Sequence, residues 1–162
     1  MGADIRIHEA LRGQMKILLA IDDSKFSQAA IESVLARRGQ AGTEVKVLHV
    51  LEPPSLLMGR EMAVNDPEFE VVWKALQEEA KSLVYKTVEK LRQAGFDVTP
   101  ALEEGDPKAK ILDIANDWKA DLVVIGSHGR RGLGRFLLGS VSENVARHCH
   151  CSVEIVRLSN AA

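Results

Sequence analysis

The segment at residues 124–146, VIGSHGRRGLGRFLLGSVSENVA, holds the residues with the clearest chemistry in this chain. Gly126 closes an apolar run, at the position where open α/β sheets take ligands outside the carboxyl ends of their strands. Glycine there allows close approach of a backbone, and Gly129, Gly132 and Gly134 permit the positive φ angles of a wrapping loop. Successive amides in such a loop form an anion-binding nest. Gly139-Ser140 then opens a helix, whose unpaired N–H groups and positive dipole end suit phosphate. Arg130, Arg131 and Arg135 add local positive charge to a chain of formal net charge -2. A plainer account also exists. Ser140-Val141-Ser142-Glu143 is a complete capping box, which explains Ser140 with no ligand, and loop glycines can be simple turns. The convergence of all these features at one strand end favours a polyphosphate.

Two other nucleotide motifs are excluded. No GxxxxGK[ST] occurs, so this is not a P-loop. The first strand is followed by AIDDSKFS rather than GxGxxG, which argues against a dinucleotide site. A second cluster, His148-Cys149-His150-Cys151, has ligand types that suit zinc. Strict alternation is not the usual ligand spacing, however, and in a strand at most two of these side chains converge. Cysteine packing as a small apolar residue is the expectation here, so no metal ligand is assigned. A metal-binding or interaction module at residues 148–151 stands as a competing reading.

Those residues need elements to position them. At 162 residues, 46% hydrophobic and 27% charged, the chain fits one soluble domain. The near-balanced charge gives no global attraction to nucleic acid or to a membrane. No apolar run approaches the ~18 residues of a membrane span. The opening MGADIRIHEALRGQ lacks the apolar core of a secretory signal. Met1-Gly2 begins like a myristoylation site, but Arg6 stands where Ser or Thr is required. Two cysteines one residue apart make no disulfide framework. A cytoplasmic protein with neither nucleic-acid nor membrane partners is expected.

Strand-like and helix-like segments alternate along the chain. Residues 16–22 and 45–51 read as buried strands, and 121–126 is the most apolar of all. Asp22, Asp23 and Ser24 are N-cap candidates for a helix carrying Phe26, Ala29, Ala30, Val34 and Leu35. Residues 52–65 form a looser stretch, long enough to act as a lid. Asp66-Pro67 and Asp106-Pro107 each open a helix, the first ending before Gly95. Pro100 demotes the intervening strand toward a sheet edge. The order β-α-β-α-β-α-β-loop-α-β implies α/β architecture, a parallel sheet with helices on both faces.

The spacing Gly126-x2-Gly129-x9-Gly139-Ser140 resembles the ATP-binding signature G-x2-G-x9-G-[S/T] of universal stress proteins. The runs KILLAIDDS, LHV, ADLVVIGSHG and LLGSVSENV also look like that family, and the likeness spans about residues 15–157. It implies an adenine nucleotide alpha-hydrolase-like fold, a three-layer open parallel five-stranded sheet in the order 3-2-1-4-5. A domain at 15–158 would lie between an extension at 1–14 and a tail at 159–162. The resemblance implies that Ala20, Ile21 and Asp22 line an adenosine pocket, with Asp22 accepting from the ribose, and that Val50 meets the adenine through its backbone. Gly126, Ser127, His128 and Gly129, joined by Arg130, would wrap the ribose and phosphates. Gly139, Ser140, Val141 and Ser142 would hold the outer phosphates. The implied ligand is ATP, with Mg2+ bridging the phosphates through solvent or Asp22.

Hydrolysis needs a residue that positions water as well as charge on the transferring group. The arginines suit the second task and no residue is evident for the first, so no catalytic residue is assigned. Binding with slow turnover at most is the expectation, and an ATPase or phosphotransferase at the same site is the alternative. The family resemblance also implies a homodimer through the last strand, Ser152 to Arg157. Two departures bear on that contact: Ser152 replaces a usual proline, and Glu154 interrupts an apolar strand, either as an inter-subunit salt bridge or as a charge that weakens pairing.

Overall fold

A computed structural model of the chain describes residues 14–38, 42–53, 67–129 and 138–158. Within them, five strands alternate with four helices: β1 (Lys16–Ala20), α1 (Lys25–Leu35), β2 (Glu44–Leu51), α2 (Pro67–Gln93), β3 (Asp97–Glu104), α3 (Pro107–Asp117), β4 (Leu122–Gly126), α4 (Ser140–His148) and β5 (Ser152–Val156). Every pairing is parallel and the sheet runs β3-β2-β1-β4-β5, as expected. Of the stretch at 52–65 that suggested a lid, residues 54–65 lie outside the described residues.

The pattern of side chains explains the layers. Successive residues of β1 face opposite ways, so Ile17 and Leu19 enter one core and Leu18 and Ala20 the other. The first core is closed by α1 and α2 through residues such as Ile31, Val34, Val88 and Leu91. The second is closed by α3 and α4 through Ile111, Ala115 and Val145. Because both faces are covered, Ile17–Ala20 of β1 and Leu122–Ile125 of β4 are unbroken apolar runs, and each fully buried Leu or Val contributes about 1.5–3 kcal/mol of transfer free energy.

Pro100 sits where its chemistry allows. In the β2–β3 register it lies opposite Val47, whose backbone bonds the residues flanking the proline. The missing N–H therefore falls on the outer side of an edge strand, where no ladder bond is lost.

Helix ends follow their caps. Ser24, rather than either aspartate before it, caps α1, its Oγ accepting from the Ser27 N–H at 3.1 Å. Asp106 caps α3 with proline next to it. Gly95 (φ 92°) terminates α2: its N–H bonds the Arg92 carbonyl and the Phe96 N–H bonds Leu91.

The topology also makes a crevice. The chain leaves β1 for α1 on one face and returns through α4 on the other after β4. Adjacent strands whose connections part in this way leave an opening at their carboxyl ends.

Candidate functional site

One wall of the crevice is the turn from β1 into α1. The Ile21 N–H bonds the Leu48 carbonyl at 2.8 Å, carrying the β1–β2 ladder one residue past the strand. The Ile21 carbonyl lies 2.7 Å from Nδ1 of His49, which is 5% exposed. A carbonyl can only accept, so His49 carries its proton on Nδ1 and holds this peptide from the other side. Ala20 and Ile21 send their side chains into opposite cores, and both polar backbone groups of Ile21 are already paired.

Asp22 comes next, with its two carboxylate oxygens in different settings. Oδ1 accepts from the Ser24 N–H at 3.0 Å, while the Asp22 N–H donates to Ser27 Oγ at 3.0 Å. Oδ2 faces the loop after β4: a methyl group on Gly129 would lie 3.0 Å from it. The structure thus brings Asp22 and Gly129 to one place. Val50 completes this side. Leu48 turns its backbone toward β1, so alternation directs that of Val50 the same way, at a level where β1 has already left the sheet.

The opposite wall starts at Gly126, and here the reason for glycine differs from the expectation. A Cβ on Gly126 would lie 2.7 Å from the Phe26 carbonyl carbon and 2.8 Å from its oxygen. The close approach is made by the first turn of α1, a partner inside the protein. Beyond it, the Ser127 N–H extends the β4–β5 ladder by bonding Val156 O at 2.8 Å.

The Ser127 carbonyl then gathers the loop. It accepts from the Gly139 N–H at 2.8 Å and lies 2.9 Å from Oγ of Ser142, whose single proton is shared with the Gly139 carbonyl at the same distance. Gly139 fits this neck because a Cβ would stand 3.2 Å from both His128 Cα and Ser127 O. Ser127 and Ser142 are buried, so their hydroxyls serve the neck and its surroundings: Ser127 Oγ is 3.1 Å from Nδ1 of His128. The His128 ring packs on Phe26, with centroids 4.9 Å apart. Its Nε2 is buried with no hydrogen-bond partner among the described residues.

Helix α4 begins one residue earlier than the capping box requires. Gly139 is the N-cap, and among the described residues no side chain caps the helix. Ser140 is therefore the first helical residue, and Ser142 spends its hydroxyl on the neck. Ser140 is exposed and Val141 half-buried against the second core, and the first amides of any helix have no carbonyl within it to bond. Arg130, Arg131, Arg135, Gly132 and Gly134 lie outside the described residues.

The His-Cys run sits at the other end of β4 and β5. Cys149 and Cys151 pack against the second core with their sulfurs 3.4 Å apart, and His148 Nδ1 is 2.9 Å from the Asn144 carbonyl. Among the described residues no group of three or more His, Cys, Asp or Glu is arranged to hold a metal ion.

Glu154 has partners within the chain. Arg37, just past the end of α1, and the Ser33 hydroxyl both bond its carboxylate. Burial alone would raise its pKa, but these partners outweigh burial and hold the carboxyl below its usual 4.5. A depressed carboxylate stabilises the fold above the unfolded pKa and loses that contribution as pH falls through the folded value. Glu154→Gln is accordingly expected to flatten the loss of stability below about pH 4.5 in urea titrations, while costing about 1 kcal/mol or less at neutral pH.

Sequence reasoning missed two contributors. His49 is hidden inside an apolar strand run, and Phe26 looks like any core residue of α1. Only the register between strands reveals the first, and only the crowding at Gly126 the second.

Residues 14–157 match the model of the universal stress protein family. The chain is 34% identical over 157 residues to universal stress protein MJ0577 of Methanocaldococcus jannaschii, covering 90% of this chain and 96% of the relative. The solved structure of MJ0577 superposes with a TM-score of 0.77 at 31% identity, over 91% of this chain and 99% of that one. Universal stress protein UspA from Lactobacillus plantarum gives 0.77 at 22% identity, covering 90% and 99%. A family protein from Arabidopsis thaliana, solved with AMP bound, gives 0.66 at 21% identity, covering 90% and 93%.

Proposed function

Because this chain belongs to the universal stress protein family, we propose that it binds an adenine nucleotide, ATP foremost, in the crevice between β1 and β4. The observation that carries this reading is the meeting of Asp22 Oδ2 with the Gly129 backbone, beside a helix α4 that no side chain among the described residues caps. A carboxylate oxygen suits a ribose hydroxyl, and open amides at a helix start suit phosphate. The Val50 backbone, directed into the same space, would read the adenine edge. Gly126, Ser127, His128 and Gly129 would line the ribose and first phosphates, and Gly139, Ser140, Val141 and Ser142 the outer ones, chiefly through amides. Arg130 would add charge. The AMP-bound Arabidopsis relative supports the ligand class. Mg2+ would reach the phosphates through water and Asp22, whose carboxylate lies beside Gly129.

These groups hold and orient. None is assigned to the activation of water, so turnover is slow and ATP acts as a regulatory ligand that biases a partner surface. The protein is cytoplasmic and works in a stress response as a homodimer joined along β5. That strand ends the sheet with an open edge, which a second copy would cover.

Titration calorimetry with ATP, with and without Mg2+, tests the binding, together with identification of small molecules released by denaturing freshly purified protein. A saturable heat and bound adenine nucleotide are expected; absence of both overturns the proposal. Rapid turnover of labelled ATP that disappears in a Gly139 variant would replace the regulatory reading with an enzymatic one. Light scattering tests the dimer.

His49 gives a separate prediction. His49→Leu removes the donor from the Ile21 carbonyl, and an unsatisfied buried carbonyl costs about 1–3 kcal/mol. The freed peptide displaces Asp22, so nucleotide affinity is expected to fall about tenfold by calorimetry. His49→Asn, whose amide can donate at a similar reach, is expected to recover most of both losses.

A further inference from the structure

The His-Cys run is not used by the nucleotide reading, and it lies at the end of the sheet away from the crevice. Helix α4 stops at His148 and β5 starts at Ser152, so the two cysteines stand in the short turn between them. Cys149 is the C-cap of α4, its N–H bonded to the Val145 carbonyl at 2.9 Å. That bond anchors one sulfur, while the start of β5, in register with β4, anchors the other. The sulfurs are 3.4 Å apart, so closing to the ~2.05 Å of a disulfide needs an approach of about 1.3 Å. Both residues are only partly buried. Cys151 also lines a shallow open cleft of about 650 Å³ with Lys119, Ala120, Asp121, His150 and Ser152, wide enough for a small thiol compound to enter.

We propose that Cys149 and Cys151 form a reversible two-electron redox site, closing an intrachain disulfide by exchange with a low-molecular-weight thiol disulfide. The Cys149 thiolate attacks one sulfur of the oxidant, forming a mixed disulfide and expelling one thiolate. The Cys151 thiolate then attacks the Cys149 sulfur, breaking the mixed bond and expelling the second. Two protein thiols lose two protons and two electrons, and the oxidant becomes two thiols. The order follows from the surroundings: burial, and Cys149 beside it, push the Cys151 thiol up to about 11. Capping Cys149 removes its hydrogen bond and charge from that rise and leaves burial as the main brake on the second step. A ring closed over a single intervening residue belongs with the strained, easily reduced disulfides, which suits a sensor in a reducing compartment.

The test uses the full chain in buffers of reduced and oxidised glutathione at graded ratios, quenched with acid, alkylated and weighed by mass spectrometry. At oxidising ratios the 148–157 tryptic peptide is expected to be lighter by two hydrogens and to carry no alkyl group, and dithiothreitol should restore it. Cys151→Ser is expected to trap one glutathionyl group on Cys149, whereas Cys149→Ser should react more slowly. Two alkylatable thiols at every ratio overturn the proposal. So do wild-type chains that keep glutathionyl groups, or copies cross-linked to each other in place of the internal bond.

Discussion

Replacing Gly126 with alanine is expected to lower the melting temperature by about 6–12 °C. The new methyl would stand 2.7–2.9 Å from the carbonyl carbon, oxygen and Cβ of Phe26, closer than real Cβ contacts come. Two of those atoms are helix backbone, so relief needs α1 to move away from β4 rather than a side chain to rotate. Overpacking commonly costs about 1–3 kcal/mol. A rigid neighbour puts this case at the upper end, and about 3 kcal/mol corresponds to that shift for a chain of this length. Among the described residues Gly129→Ala meets only a carboxylate oxygen at 3.0 Å, and it is expected to change stability much less. Calorimetric scans of the two variants decide the matter. Equal, small shifts would mean that α1 does not press on β4 as described.

Asp22 offers the largest expected effect on binding, because its two oxygens can be separated by mutation. Asp22→Asn keeps an oxygen for the Ser24 N–H, so the turn into α1 should survive with stability changed by about 0.5 kcal/mol or less. It replaces the oxygen beside Gly129 with an amide donor and removes the charge. Losing a charged acceptor to the ribose is worth about 1.5–3 kcal/mol, or about a 10–100-fold weaker affinity. Asp22→Ala should lose the affinity together with about 1 kcal/mol of stability. Nucleotide titration beside urea unfolding separates these effects. An Asn variant that binds like the parent would remove Asp22 from the ligand contacts.

Much of the frame was legible because it depends on local physics. Buried strands at residues 16–22 and 121–126 followed from unbroken apolar runs, the edge position of β3 from Pro100, and the starts and stops of α2 and α3 from Pro67, Gly95, Asp106 and Pro107. Strand order came through the family resemblance, since periodicity alone does not choose among right-handed windings. The site was legible as a region: the glycine spacing led to the β1–β4 switch point. Individual roles were less so. Gly126 was read as room for a ligand, but its constraint is Phe26, a hundred residues earlier. Ser140 looked like a cap because its capping box is complete, yet Ser142 and Gly139 bind the Ser127 carbonyl and draw the helix start back by one residue. The partners of His49 and Glu154 are likewise distant in sequence. Nothing near them in the chain announces Ile21 or Arg37.

The twofold engagement of the Ser127 carbonyl has a consequence for how this protein can diversify. One oxygen takes both the returning backbone and the Ser142 hydroxyl, so residues 128–138 are bounded by a clasp that belongs to the scaffold. Lengthening a closed loop is cheap, about 0.6 kcal/mol for a doubling. Changes of length or sequence between the two ends of that clasp are therefore expected to cost the scaffold little, since Ser127, Gly139 and Ser142 hold β4 and α4 together without them.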